Sequence, residues 1–175
     1  MKIRENYDVI IEKHPYAESL KEKLIAECRG PDKRPNDWHT NIVGNKIAVD
    51  ESPNAPSKII KNWVASILTN TYPSINMEKI RYDIGMWFAS YDKGNYVKVH
   101  NHLPFAVFSW VYFINSPRGS SPLVFTTTGK RIKAEEGKVV IFPSFMMHHV
   151  PKNKCDNRIV MAGNALPYRP SMVSK

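Results

Sequence analysis

The apolar residues of this chain change their period once, near Tyr72-Pro73, and that change limits the folds open to it. Ahead of it, Ile59, Ile60, Trp63, Val64, Ile67 and Leu68 recur at i, i+3, i+4 and i+7 spacing, the stripe of an amphipathic helix. That helix is predicted over Pro56 to Thr71, opened by its proline and stopped by Tyr72-Pro73. An earlier helix is predicted over Pro15 to Cys28, where Tyr16, Leu20, Leu24 and Cys28 stand four apart and Gly30-Pro31 ends the run. Residues 31–56, with Pro31, Pro35, Pro53 and Pro56, read as a long lid-like loop with a short strand expected at Lys46 to Val49.

Beyond Pro73 the period is two. Strands are expected at Lys79 to Tyr91, Tyr96 to His102, Val107 to Ile114, Leu123 to Thr127, Lys138 to Phe142 and Arg158 to Ala165. Turn clusters such as Asp92-Lys93-Gly94-Asn95 and Ser116-Pro117-Arg118-Gly119 separate them. Two helices followed only by strands give an α+β, mainly β chain, in which a sandwich or barrel carries both helices on one sheet. With 175 residues the chain is read as one domain, helical over 1–75 and β over 76–168.

Apolar residues at 42% and charged residues at 23% exclude a disordered tail or a charge-rich coiled coil. The net charge of +9 favours anionic partners. It is spread along the chain without a nucleic-acid motif, so an anionic small molecule fits as well and nucleic acid is not the expected main partner. Cys28 and Cys155 lack any CxxC partner, which argues against a zinc-thiolate site or a disulfide framework and for a reducing compartment. The start, MKIRENYDVIIEKH, holds no apolar run of signal-peptide length, and no stretch reaches membrane-span length; a cytoplasmic protein is expected.

The chemistry concentrates in the histidines. His100 and His102 form an HxH on an expected strand, where alternate side chains share a face and lie about 6 to 7 Å apart at the backbone. His148-His149 lies 46 residues beyond His102, after a three-strand return. Adjacent residues of an extended segment face opposite ways, so one of the two completes the set. Three such ligands leave open positions on a metal, as non-haem Fe(II) chemistry requires, and favour mid-to-late first-row ions over Mg²⁺ or Ca²⁺; zinc stays open. Arg158, entering the apolar strand Ile159-Val160-Met161-Ala162, is either an edge residue paired with Asp156 or Glu136 or a bidentate clamp on a carboxylate.

At these residues the chain resembles the 2-oxoglutarate/Fe(II)-dependent oxygenases, within them the short bacterial and phage prolyl-hydroxylase-like group. The likeness runs from Tyr82 to Leu166. It is carried by Tyr91-Asp92-Lys93-Gly94 ahead of His100, Ser109-Trp110-Val111-Tyr112-Phe113, Gly137 to Ser144 ahead of His148-His149-Val150, and Arg158-Ile159-Val160 with Asn164. The resemblance implies a double-stranded β-helix (jelly-roll, cupin-like) core, and a hydroxylase using Fe(II), 2-oxoglutarate as cosubstrate and O₂. It implies His100, His102 and His148 as metal ligands, and Arg158, Tyr91 and Asn164 as cosubstrate-binding residues. It suggests a prolyl or other peptidyl or amino-acid substrate, acidic if Lys93, Lys98, Lys130, Arg131, Lys133, Lys152 and Lys154 gather at the barrel mouth.

Two residues depart from the family. His102 stands where an Asp or Glu is usual and is either a ligand or a supporting residue beside one. Trp110 stands where a Gly is frequent and is expected to narrow the space beside its strand. Trp38 and His39 are candidates to cover the site. A cupin-type metal protein that does not use 2-oxoglutarate is the first alternative, weakened because Leu103 to Val107 lacks the Glu that follows the cupin HxH and Phe145 replaces a later Gly. A basic, metal-free binding module is the second.

Overall fold

The computed structural model describes residues 8–29, 34–35, 43–46, 55–73 and 83–166. Eight strands, β4 (Asp83–Tyr91), β5 (Val97–His100), β6 (Phe108–Asn115), β7 (Leu123–Phe125), β8 (Arg131–Ile132), β9 (Lys138–Pro143), β10 (His148–Val150) and β11 (Arg158–Leu166), are divided between two antiparallel sheets. The larger sheet holds β9-β6-β11-β4 and the smaller β5-β10-β7-β8. This is the double-stranded β-helix, a jelly roll whose interior lies between the sheets. Three earlier strands extend the larger sheet: β1 (Ile10–Lys13) pairs with β9 at one edge, and β2 (Arg34–Pro35) with β3 (Val43–Lys46) continues from β4 at the other.

Period-two alternation divides the strands of the larger sheet between two cores. Ile84, Met86 and Phe88 of β4, Trp110 and Tyr112 of β6, and Ile159 and Met161 of β11 face the helices. Ala89 and Tyr91, Phe113, Val140, Phe142 and Val160 face the barrel interior. Helix α1 (Ala17–Cys28) buries Leu20, Leu24, Ile25 and Cys28, and α2 (Pro56–Thr71) buries Ile60, Val64, Ile67 and Leu68 against that outer face. Glu27 joins the helices: its carboxylate accepts the Ser57 backbone N–H at 3.1 Å and the Ser57 hydroxyl. These are free donors at the start of α2, where a negative charge is also favoured by the helix dipole. Lys21 donates to Glu136 at 2.9 Å, which ties α1 to the turn before β9.

The second helix falls on its expected bounds. The first starts at Ala17, and Tyr16 is 70% exposed rather than part of the buried stripe. The strand expected at Lys46 to Val49 lies earlier, at Val43–Lys46; of the expected lid, residues 31–33, 36–42 (with Trp38 and His39) and 47–54 are outside the described residues. The strand expected through His102 ends at His100. There the chain leaves the ladder for a turn in which Phe105 N–H and Ala106 N–H both donate to His102 O at 3.1 Å. Trp110 fills the space beside its strand on the helix side. Its indole lies on the helix side over Gly163, where an added Cβ would stand 2.5 Å from the ring and 2.4 Å from Gly85 O.

Candidate metal centre and anion pocket

Two strands and a turn bring the three histidines together. β10 pairs with β5 so that His148 stands opposite His100, with a register shift before Val150 pairs with Val97. His102 is two residues past the strand end, held by its N–H donating to Ser144 O at 2.9 Å. Ring centroids are 4.3 Å apart for His100 and His148, 5.0 Å for His100 and His102, and 5.2 Å for His102 and His148. One ring nitrogen of each lies within 4.8 Å of the others. His149 faces the other way, with Nδ1 3.0 Å from Thr126 Oγ1, so the strand's alternation selects His148.

Burial pushes the His148 pKa down to about 3 and that of His102 down to about 4, with His100 adding to both shifts. Both rings are therefore neutral near pH 7, and a neutral imidazole keeps one ring nitrogen unprotonated. His100 Nδ1 is 2.8 Å from Lys98 O and His148 Nδ1 is 2.8 Å from Met146 O. A carbonyl only accepts, so both rings carry their proton on Nδ1 and keep Nε2 for a metal, the usual support for a metal-bound histidine. The donor set fits a first-row divalent ion at a facial three-nitrogen site.

The same cavity, about 410 Å³, reaches Arg158 and Tyr91. These residues are opposite one another across β11 and β4. Arg158 is 1% exposed, and its guanidinium carbon sits 4.2 Å from the Tyr91 ring centroid and 5.7 Å from that of Phe113. Such stacking stabilises a cation without using its N–H groups. Burial lowers the Arg158 pKa while Tyr91 opposes the shift; burial likewise raises the Tyr91 phenol against the pull of Arg158. Arg158 Nε and Nη1 are buried with no hydrogen-bond partner among the described residues. The edge pairing with Asp156 or Glu136 is not made: Asp156 accepts the Lys93 N–H at 2.9 Å and Glu136 takes Lys21. A buried guanidinium with idle donors on a cavity wall has the chemistry to receive an anion.

Asn164, six residues along β11, lies against His102 instead, its Nδ2 3.3 Å from His102 Nδ1 and its Oδ1 accepting from Ser109 at 2.9 Å. None of the seven basic residues considered for the barrel mouth lines the cavity. Leu103 and Phe105, 53% and 72% exposed, form its apolar rim. Two supporting residues were not singled out in the sequence. Ser109 is a polar residue inside the apolar run FSWVYFIN, a signal that could have found it. Asn153 is 2% exposed and ties the loop before Arg158 to its neighbours. It accepts the Ser121 N–H at 2.9 Å, donates to Cys155 O at 2.7 Å, and exchanges backbone bonds with Asn95 and Gly94. Nothing in PKNKCDNR marks it out.

No protein-family model and no curated protein matches the chain. Solved structures do. A prolyl-4-hydroxylase of Pseudomonas putida superposes with a TM-score of 0.75 at 18% identity, over 93% of this chain and 94% of that one. A prolyl hydroxylase of Trichoplax adhaerens, solved with a peptide fragment of the hypoxia inducible factor oxygen degradation domain, gives 0.69 at 13%, over 90% and 83%. The viral collagen prolyl hydroxylase of Paramecium bursaria Chlorella virus-1, solved with 2-oxoglutarate, gives 0.65 at 17%, over 87% and 93%. The likeness establishes the shared fold, as the spaced motifs from Tyr82 to Leu166 imply.

Proposed function

We propose that this chain is an Fe(II)- and 2-oxoglutarate-dependent oxygenase that hydroxylates an unactivated C–H bond. The observation that carries the reading is Arg158, buried with two idle N–H donors on the wall of the cavity that the three imidazoles also line. A metal protein that handled no anionic cosubstrate would leave that charge buried without a counterpart, at a cost of several kcal/mol. The solved structure of the viral hydroxylase with 2-oxoglutarate adds support. Iron, 2-oxoglutarate and O₂ together supply oxidative decarboxylation to succinate and CO₂ and the oxidant for the C–H bond.

The residues of the chain bind and orient. His100, His102 and His148 would hold the metal as neutral nitrogen ligands, and Arg158, braced by the Tyr91 ring, would take the distal carboxylate. The sheet walls exclude water. With no acid and no lysine among the described residues of the cavity wall, and with Leu103 and Phe105 on its rim, the site suits an uncharged, apolar-sided target. The Trichoplax complex with a peptide supports a peptidyl one.

Adding 2-oxoglutarate anaerobically to Fe(II)-loaded protein tests this. The expected result is the weak visible charge-transfer band of a bidentate cosubstrate. Arg158→Met should need about 100-fold more cosubstrate, as loss of a buried charged partner costs. Without ligand that variant should be no less stable than the parent, because an uncompensated buried cation has gone. No band in either protein would end the cosubstrate reading.

A further inference from the structure

The three imidazoles are held by different means. His100 and His148 each face the carbonyl of the residue two before them, and a carbonyl allows a single tautomer, protonated on Nδ1. His102 has no carbonyl. Its Nδ1 faces the Asn164 side chain, whose other end meets Ser109 Oγ at 2.9 Å.

An amide at that place has two states of one shape. With Nδ2 toward the ring, 3.3 Å away, the amide donates to Nδ1. The ring proton then sits on Nε2, and His102 has no lone pair for a metal. Turned by half a revolution about Cβ–Cγ, the amide presents Oδ1, accepts from Nδ1–H and frees Nε2. Ser109 serves both states, because a hydroxyl donates to Oδ1 in the first and accepts from Nδ2 in the second. No heavy atom needs to move far for the exchange.

We propose that Asn164, backed by Ser109, is the positioning residue that makes His102 a metal ligand, its amide oxygen holding the proton on Nδ1 when the metal binds. The proposal rests on the three-histidine metal site and not on the use of 2-oxoglutarate. It follows from the residue that sets this chain apart. A carboxylate ligand has no tautomer to select, whereas an imidazole in its place needs an acceptor behind it. β11 supplies one: alternation along Arg158, Val160, Ala162 and Asn164 keeps both ends of that strand facing the barrel. Asn164 thereby belongs with the metal, while Arg158 alone serves the anion end.

Zn(II) alone, titrated against a chromophoric chelator, reads the effect without turnover. Asn164→Leu, which keeps volume and removes the acceptor, should bind Zn(II) about 10- to 100-fold more weakly. Asn164→Asp, which restores an acceptor, should recover the parent affinity or exceed it. A role confined to strand packing would instead lower the melting point of the metal-free Leu variant and leave its Zn(II) affinity alone. Histidine-labelled parent protein gives a second measurement that needs no variant: in its Zn(II) form, ¹H–¹⁵N spectra should show His102 protonated on Nδ1. Zn(II) affinity of Asn164→Leu within threefold of the parent, or His102 protonated on Nε2 in the Zn(II) form, overturns the proposal. A parent that binds no Zn(II) overturns the metal site itself, so the two failures are told apart.

Discussion

The two sheets that enclose the cavity are built differently. In the larger one β11 pairs with β4 through nine successive residues and with β6 through seven, with one register shift between Ile159 and Val160. In the smaller one β10 pairs with β5 at two positions with a register shift between them, and with β7 at two. The larger sheet is sealed by helices on one side and by the barrel core on the other, and it places Arg158 opposite Tyr91 at the end of the continuous β11–β4 ladder. The smaller sheet spends its short strands on the candidate ligands: His100 ends one, His148 begins another, and His102 lies past the end of the first. A long ladder holds the candidate anion site, and a short, irregular edge lets three rings converge from directions that regular pleating would not give.

Three substitutions or conditions probe that contrast. The largest effect is expected at the smaller sheet, from His148→Ala. Metal affinity should fall more than about 100-fold, beyond what loss of a supporting hydrogen bond does, while His149→Ala leaves it unchanged. Equal losses in a metal-content assay would mean that strand alternation does not choose the ligand.

Next comes Gly163→Ala in the larger sheet. The new Cβ would meet Gly85 O at 2.4 Å and the Trp110 ring at 2.5 Å, with core on one side and backbone on the other. About 3 kcal/mol of stability should be lost in denaturant unfolding. Gly85→Ala, where nothing lies within 4 Å of the added atom, is the control and should cost far less. A neutral Gly163→Ala would show the ladder to be more yielding than its geometry implies.

The gentlest effect is a slope with pH in metal-free protein. His102 and His148 fold with pKa values of about 4 and about 3, against 6.5 for an exposed imidazole. As pH falls below 6.5 the unfolded chain takes up protons that the folded one does not. Stability therefore declines from pH 6.5 until the folded-state values are reached, and is indifferent to these groups above 6.5. Each histidine contributes at most about 1.4 kcal/mol per pH unit, less for the more exposed His102. Chemical denaturation across this range should show the decline, and His148→Ala should flatten it; a parent that is flat from pH 6.5 to 4 would contradict the burial of the rings.

Much of the site could be read along the chain because the residues involved carry local signatures. Pro56 and Tyr72-Pro73 bracket α2, the HxH spacing puts two rings on one side, and an arginine heading an apolar strand is conspicuous. β1 was not legible: IIEK is four residues long and forms a strand because β9 offers it an edge. Nor was β10, whose three residues are ordered by neighbours on both sides. Asn153 looks like any loop asparagine until its loop folds back on Asn95.

Taken alone, the amino-acid order determined which residue types the protein has to work with and the period on which they repeat, and so the helices, the long strands and the candidates for metal and anion. Those depend on neighbours within a few residues, where sterics and burial act through local geometry. Tertiary structure decided that His148 and not His149 turns inward, that Arg158 Nε and Nη1 are buried without hydrogen bonds among the described residues, that Trp110 fills the gap over Gly163, and that Asn164 meets His102. Each of these depends on the register between strands distant in sequence. A one-residue slip there would turn every side chain to the opposite face.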